Sequence, residues 1–192
     1  MTRLLGMVAG AFRVVLTPQI SLMVTKVYIP FLFPLTFFIA MAALATDELI
    51  GMKAGFLPAP VNFYVAAGFF VAGLLVLGIT YAELVFEGAG SPSPTAGRTT
   101  RLVRSGIYQY CRNPSVHGKL LGFLAVGIAL NSTAFVFILA PLLLAGSLYE
   151  KVWRQEPQLV DIFGDEYVKY QNEVPLFIPW GLIGLKSPFR SL

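Results

Sequence analysis

Residues 120–149, LLGFLAVGIALNSTAFVFILAPLLLAGSLY, run for 30 positions without a formal charge. As one straight helix the stretch would be about 45 Å long, against about 30 Å of bilayer hydrocarbon. Asn131-Ser132-Thr133 falls near its middle. The stretch therefore reads as a helical hairpin, roughly 115–130 and 133–154, with the polar triplet at its turn. Two further charge-free stretches precede it, 27–46 (20 residues) and 54–82 (29 residues), each long enough for a span of about 20 residues. They give a first span near 27–45 and a second near 61–83.

The composition agrees. Hydrophobic residues make up 56% of the chain and charged residues 12%, where a soluble domain carries about 25% charged. The expected fold is all-α: one polytopic membrane bundle over residues 1–192, with about four transmembrane helices. Residues 27–86 hold the first two spans and 87–180 form the second half. Residues 1–19 carry Arg3, Gly6, Gly10, Arg13 and Thr17 at alternating spacings of 3 and 4. That stripe predicts an amphipathic helix lying in the headgroup region. A short helix at the C-terminal side is expected along the cytoplasmic edge.

Charge sets the orientation. Of the 14 lysines and arginines, 13 lie before the first span, around the connection from second to third, or at the end of the fourth and beyond. Only Lys53 lies elsewhere. The positive-inside rule places both termini and the 87–114 loop in the cytoplasm, a parity that four spans satisfy. The small residues Ala67, Gly68, Ala72 and Gly73 in the second span, and Gly118, Gly122, Ala125 and Ala129 in the third, allow close helix packing.

Several chemistries are excluded. One cysteine, Cys111, and one histidine, His117, cannot make an intramolecular disulfide or the usual zinc site. No nucleophile elbow lies near His117. Gly88-Ala89-Gly90 lacks the third glycine of a dinucleotide fingerprint. No nucleic-acid-binding motif is present. The spans carry no acid or base near the bilayer centre, which disfavours an ion-coupled transporter. Polar residues gather instead at one cytoplasmic edge, in 105–118 and 150–170, and the hairpin returns the chain so that these two segments can meet.

Those segments carry a resemblance. Gly106-x-Tyr108-x-Tyr110-x-Arg112-Asn113-Pro114-x-x-x-Gly118 is similar to the loop G-P-Y-R-Y-V-R-[HN]-P-M-Y-x-G of the integral-membrane methyltransferases, the isoprenylcysteine carboxyl and phospholipid N-methyltransferase type. Glu156-Pro157-x-Leu159, Phe163-Gly164-x-x-Tyr167-x-x-Tyr170, Val174-Pro175 and Ile178-Pro179 resemble the second signature, roughly E-E-P-x-L-x-x-x-F-G-x-x-Y-x-x-Y-x-x-x-V-P-R-x-I-P. Both occur in order, separated by the hairpin, over about residues 88–180. The departures are Ser115-Val116 for Met-Tyr, His117 at a usually apolar position, Gln155 for the first glutamate and Leu176 for arginine.

The resemblance implies methyl transfer from S-adenosylmethionine, bound at the cytoplasmic edge, to a lipid-like acceptor from the bilayer. It implies donor binding by Tyr108, Tyr110, Asn113, Pro114, Gly118, Glu156, Pro157, Tyr167 and Tyr170, with Arg112 and His117 as the catalytic pair. Glu156 would take the donor's ammonium or ribose hydroxyls, or be a solvated interfacial acid. Arg112 would hold a carboxylate or an anionic head by a forked contact, or anchor to headgroups. The tyrosines would face the sulfonium or adenine, or sit in an interfacial belt. His117 would accept a proton, or bridge helix ends. For Gly118 the alternative is helix packing. Pro157 is expected to start a new helix, and Glu150 and Arg154 to form an i, i+4 ion pair. Two other readings stand beside this one: a non-catalytic membrane protein that keeps the fold, and, more distantly, a small transporter.

Overall fold

The computed structural model describes residues 33–51, 55–88 and 101–178. The expected interfacial helix at 1–19, the start of the first span, most of the Gly/Ser/Pro linker and Pro179 lie outside them. Five helices are described: α1 (Phe33–Leu49), α2 (Val61–Phe86), α3 (Pro114–Ala129), α4 (Phe135–Phe163) and α5 (Asp165–Glu173). A 3-10 turn, Gly106–Gln109, precedes α3. No strand occurs among the described residues. α2 and α4 are each long and apolar enough to cross a membrane; α3, at 16 residues, is apolar but shorter. Phe63, Tyr64, Phe70, Val71 and Leu74 on α2 and Phe137, Ile138 and Leu142 on α4 are exposed, so the outer surface is apolar where these helices pass.

α3 packs chiefly against α2, and two glycines make this possible. A Cβ added at Gly73 would stand 3.0 Å from the Gly118 carbonyl oxygen, and one at Gly118 would stand 3.1 Å from the Gly73 carbonyl oxygen and 2.6 Å from Leu77 Cγ. The backbones therefore approach more closely than any side chain allows. Gly73→Ala, which meets main chain that cannot turn aside, is expected to cost about 1–3 kcal/mol. Gly68→Ala, with no atom within 4 Å, should stay within about 0.5 kcal/mol of wild type. Thermal unfolding in detergent compares the two; equal losses would remove the close approach as the cause.

The hairpin turns at 130–132, where the sequence places it. Asn131 has φ +54°, a left-handed conformation that asparagine adopts more readily than most residues. Its side chain ties down the connection from α1 to α2, accepting from Leu57 N–H (3.2 Å) and donating to the Leu57 carbonyl (2.7 Å). Asn62 Nδ2 donates to the Ala129 carbonyl at the end of α3 (3.1 Å). Ser132 Oγ accepts the Phe135 N–H (3.1 Å), and Asp47, from the end of α1, accepts the Ala134 N–H (2.7 Å) and the Ser132 hydroxyl. The free N–H groups that open α4 are thus satisfied by its own serine and by a carboxylate from another helix.

α4 departs from expectation. It runs unbroken past Glu156 to Phe163 and contains two π turns, Phe135–Leu139 and Lys151–Gln155. Each ends two residues before a proline, Pro141 and Pro157. The Ala140 N–H reaches the Phe135 carbonyl and the Glu156 N–H reaches the Lys151 carbonyl, both five residues back. A proline lacks the N–H that an α-helix needs and crowds the carbonyl four residues before it; the wider turn moves that carbonyl aside. Pro157 therefore sits inside a continuing helix instead of starting one. The Glu150–Arg154 pair is absent among the described residues. The wide turn brings position i+5 to the same face, and Glu150 Oε1 accepts instead from Gln155 Nε2 (3.0 Å). The chain breaks at Gly164, whose φ of +56° favours glycine, and α5 begins there.

Candidate functional site

At the end of the bundle that carries both signatures, α5 folds back over the junction between α2, the 3-10 turn and α4. Tyr167, Tyr170 and Val174 form a buried cluster against Leu102, Leu159, Val160 and Phe163. Their spacing of 3 and 4 puts them on one helical face. Beneath them is a cavity of about 60 Å³, lined by residues that include Leu84, Leu102, Tyr108, Arg112, Leu159, Phe163, Tyr167 and Tyr170. The two sequence signatures therefore meet in space, joined by contacts between residues some sixty positions apart.

Arg112 is the hub. Its backbone N–H donates to the Pro175 carbonyl (2.9 Å) and its Nη1 to the Gln171 carbonyl (2.6 Å). Its Nε lies 3.0 Å from Glu156 Oε1, both side chains being 11% exposed. Gln171 Nε2 donates to the other Glu156 oxygen (3.1 Å). The Arg112 Nε and Glu156 Oε1 atoms, though close, are not aligned for a hydrogen bond, and each is buried without another partner. Opposite charges thus attract here with part of their bonding capacity unused, which is costly for buried groups. They are the atoms of the site most able to gain from a polar ligand.

The surrounding phenols are neutral. Burial pushes the Tyr108 hydroxyl far above its usual range. Burial, reinforced by the Glu156 charge, does the same at Tyr167, and burial followed by the neighbouring Tyr167 does so at Tyr170. Tyr170 donates to the Tyr108 carbonyl (2.6 Å), and the Arg104 guanidinium lies over its ring, 5.6 Å from the centroid. Arg104 also pairs with Glu173, fastening the far end of α5.

The other expected residues are placed as follows. Asn113 occupies the position before α3 without a side-chain capping bond, and donates from Nδ2 to the Leu176 carbonyl (3.4 Å). Pro114 is buried at the first position of α3. Tyr110 is half-buried, and its N–H closes the 3-10 turn on Ile107. Pro157 is exposed. Gly118 lies in the contact between α2 and α3, and His117 stacks on Phe177 with ring centroids 4.3 Å apart. Of the expected site residues, Tyr108, Arg112, Tyr167 and Tyr170 line the cavity, whereas Tyr110, Asn113, Pro114, His117, Gly118, Glu156 and Pro157 do not. Val116 is fully buried, so position 116 does not face lipid.

Sequence reasoning passed over Gln171 and Glu83. Gln171 sits one residue after Tyr170, the last tyrosine of the signature, and only the fold shows it bridging Arg112 and Glu156. Glu83 reads as the polar end of a span; it is in fact 2% exposed.

Cys111 is buried, donates from Sγ to the Leu176 carbonyl (3.4 Å), and has its pKa pushed up to about 11, chiefly by burial. A free thiol titrates near about 8.5. Thiolate is the reactive form, so alkylation of Cys111 at pH 8 should be at least about a hundredfold slower than that of a free thiol. It should speed up as pH rises towards 11. Rapid alkylation of the folded protein at pH 8 would contradict the burial.

Residues 61–166 match the phospholipid methyltransferase family. A segment of 78 residues, 41% of this chain, is 33% identical to a protein-S-isoprenylcysteine O-methyltransferase of Schizosaccharomyces pombe. The match spans 33% of that protein's length.

Proposed function

The chain belongs to the phospholipid methyltransferase family, and we propose that it transfers a methyl group from S-adenosylmethionine to a lipid-like acceptor at the cytoplasmic edge of a membrane. The observation that carries this reading is the buried Arg112–Glu156 pair, with one unaligned atom on each partner, whose Arg112 member lines the aromatic cavity. Such a cationic and anionic pair fits a zwitterionic amino-acid group. Arg112 would take the carboxylate and Glu156 the ammonium or a ribose hydroxyl, each gaining an aligned, charge-assisted bond.

When bound, the donor supplies an electrophilic methyl group on a sulfonium. The protein's part is placement. The neutral rings of Tyr108, Tyr167 and Tyr170 offer apolar and π surface suited to a cation, and α5 covers one side of the space they line. Ordering two reactants in this way is a large source of rate by itself. The cavity of about 60 Å³ is far below the roughly 300–1,000 Å³ of small-molecule sites. Donor entry therefore requires the α5 cover to shift. Tyr110, Asn113, Pro114, Pro157, Gly118 and His117, none of which lines the cavity, would act by supporting the residues that do. The acceptor would approach through lipid, beside the apolar faces of α2 and α4. The basic asymmetry supports a four-span topology with both termini and this site in the cytoplasm.

Titration of purified protein with S-adenosylhomocysteine, followed by methylation of a lipid extract, tests the proposal. Saturable binding and labelled lipid are the expected results. Binding without labelled lipid would favour a non-catalytic member of the family, and no binding would remove the donor site.

A further inference from the structure

Among the buried ionisable groups, the carboxylate of Glu83 has no part in the chemistry above. It lies on the last turns of α2, 2% exposed, and both its oxygens accept from a single backbone donor, Ile107 N–H (3.1 and 3.0 Å). Gly106, the residue before, has φ +57°, and a Cβ there would fall 1.8 Å from Glu83 Oε1. One turn further along α2, Glu87 accepts the Ser105 hydroxyl. Two carboxylates spaced i, i+4 on one helix face thus grip three consecutive residues, Ser105, Gly106 and Ile107. The donor wall begins at that grip. The 3-10 turn Gly106–Gln109 carries Tyr108 into the cavity, and Arg112 is three residues beyond the turn.

We infer that Glu83 is a positioning residue: its carboxylate, seated on Ile107 N–H in the space that Gly106 leaves open, fixes the 3-10 turn and so sets Tyr108 and Arg112 for the methyl donor. A buried carboxylate would be expensive without such a partner. The turn is also held by Tyr170 on the Tyr108 carbonyl, and the Glu83 contact is what fixes its start to α2. The missing Cβ at 106 is part of the same device, since any side chain there would displace the carboxylate. This rests on the donor reading of the cavity.

The test uses the full chain in nanodiscs. Glu83→Ala removes the acceptor, Glu83→Gln keeps a neutral one of the same shape, and Gly106→Ala displaces the carboxylate without touching its charge. Backbone hydrogen exchange at 106–112 and S-adenosylhomocysteine affinity are read on each. Glu83→Ala and Gly106→Ala are each expected to raise exchange at Ile107 and Tyr108 and to weaken binding at least tenfold, while Glu83→Gln stays within threefold of wild type in both. Because both changes act through one contact, the double variant should be no worse than the poorer single one. If Glu83→Ala does not fold, Gly106→Ala and Glu83→Gln still give the comparison. Unchanged exchange and affinity in Gly106→Ala would overturn the role, as would additive losses in the double variant. Absence of binding in the wild type would instead overturn the donor site itself, and this role with it.

Discussion

Glu156→Ala is expected to lower S-adenosylhomocysteine affinity by about 10- to 150-fold and to cost about 3–5 kcal/mol of stability. The first figure is the loss of a charged hydrogen-bond partner, about 1.5–3 kcal/mol. The second arises because Arg112, 11% exposed and 3.0 Å from the lost carboxylate, is left as an uncompensated buried charge. The two effects can be separated. Arg112→Met with Glu156→Leu removes both charges and fills their space, and a buried pair replaced in this way is often neutral for stability. The double variant should therefore regain most of the lost stability and still fail to bind. Unfolding midpoints and donor titrations on the same preparations decide it. A Glu156→Ala protein that melts and binds like wild type would mean that the pair is solvated and the donor lies elsewhere.

Asp47→Ala is expected to be almost as damaging to the fold, about 3 kcal/mol, with no direct effect on the proposed donor site at the opposite end of the bundle. Asp47 is 7% exposed and serves two donors at the start of α4, Ala134 N–H and the Ser132 hydroxyl. Its removal strands both in a dry place, at about 1–3 kcal/mol each before relaxation. It also withdraws a negative charge from a helix N-terminus, worth a further 0.3–1 kcal/mol or so. Asp47→Asn retains an oxygen for the Ala134 N–H and should lose only about 1 kcal/mol. If alanine and asparagine cost the same, the charge and not the hydrogen bonding is what matters. If neither costs anything, the cap is redundant with Ser132.

Two carboxylates, Asp47 and Glu83, mark where reading the sequence stops. Charge-free runs gave the helices, because a lipid-facing helix needs only apolar length. The Asn131-Ser132-Thr133 turn was legible because polar groups near the middle of a run too long to span have to leave the hydrocarbon. The two signatures led to Arg112, Glu156, Tyr108, Tyr167 and Tyr170, which the fold brings together. Asp47 and Glu83 were opaque. At the end of a span an acid looks like a solvated terminus, and only the partners at 132–134 and 107, distant in sequence, make each a buried acceptor. Glu150 and Arg154 misled for a local reason: Gln155 takes up the Glu150 carboxylate instead, and also accepts from Lys151. Gly118 matched the signature and also the small-residue stripe, and one sequence cannot separate those roles; its close approach to Gly73 and Leu77 belongs to the stripe.

The two π turns of α4 bear on how such a chain tolerates change in length. Each turn takes one more residue to close than an α turn, so it behaves as an insertion that the helix has absorbed locally, leaving the faces above and below it pointing as before. Losing one residue from 151–155 would then be a milder event than most substitutions nearby. The turn could tighten to an ordinary one with Glu156 still directed at Arg112, provided that Pro157 changed with it, since the tightened turn would bring a carbonyl back against its ring. A shortened turn and a replaced Pro157 would thus compensate each other, the second relieving the crowding that the first creates.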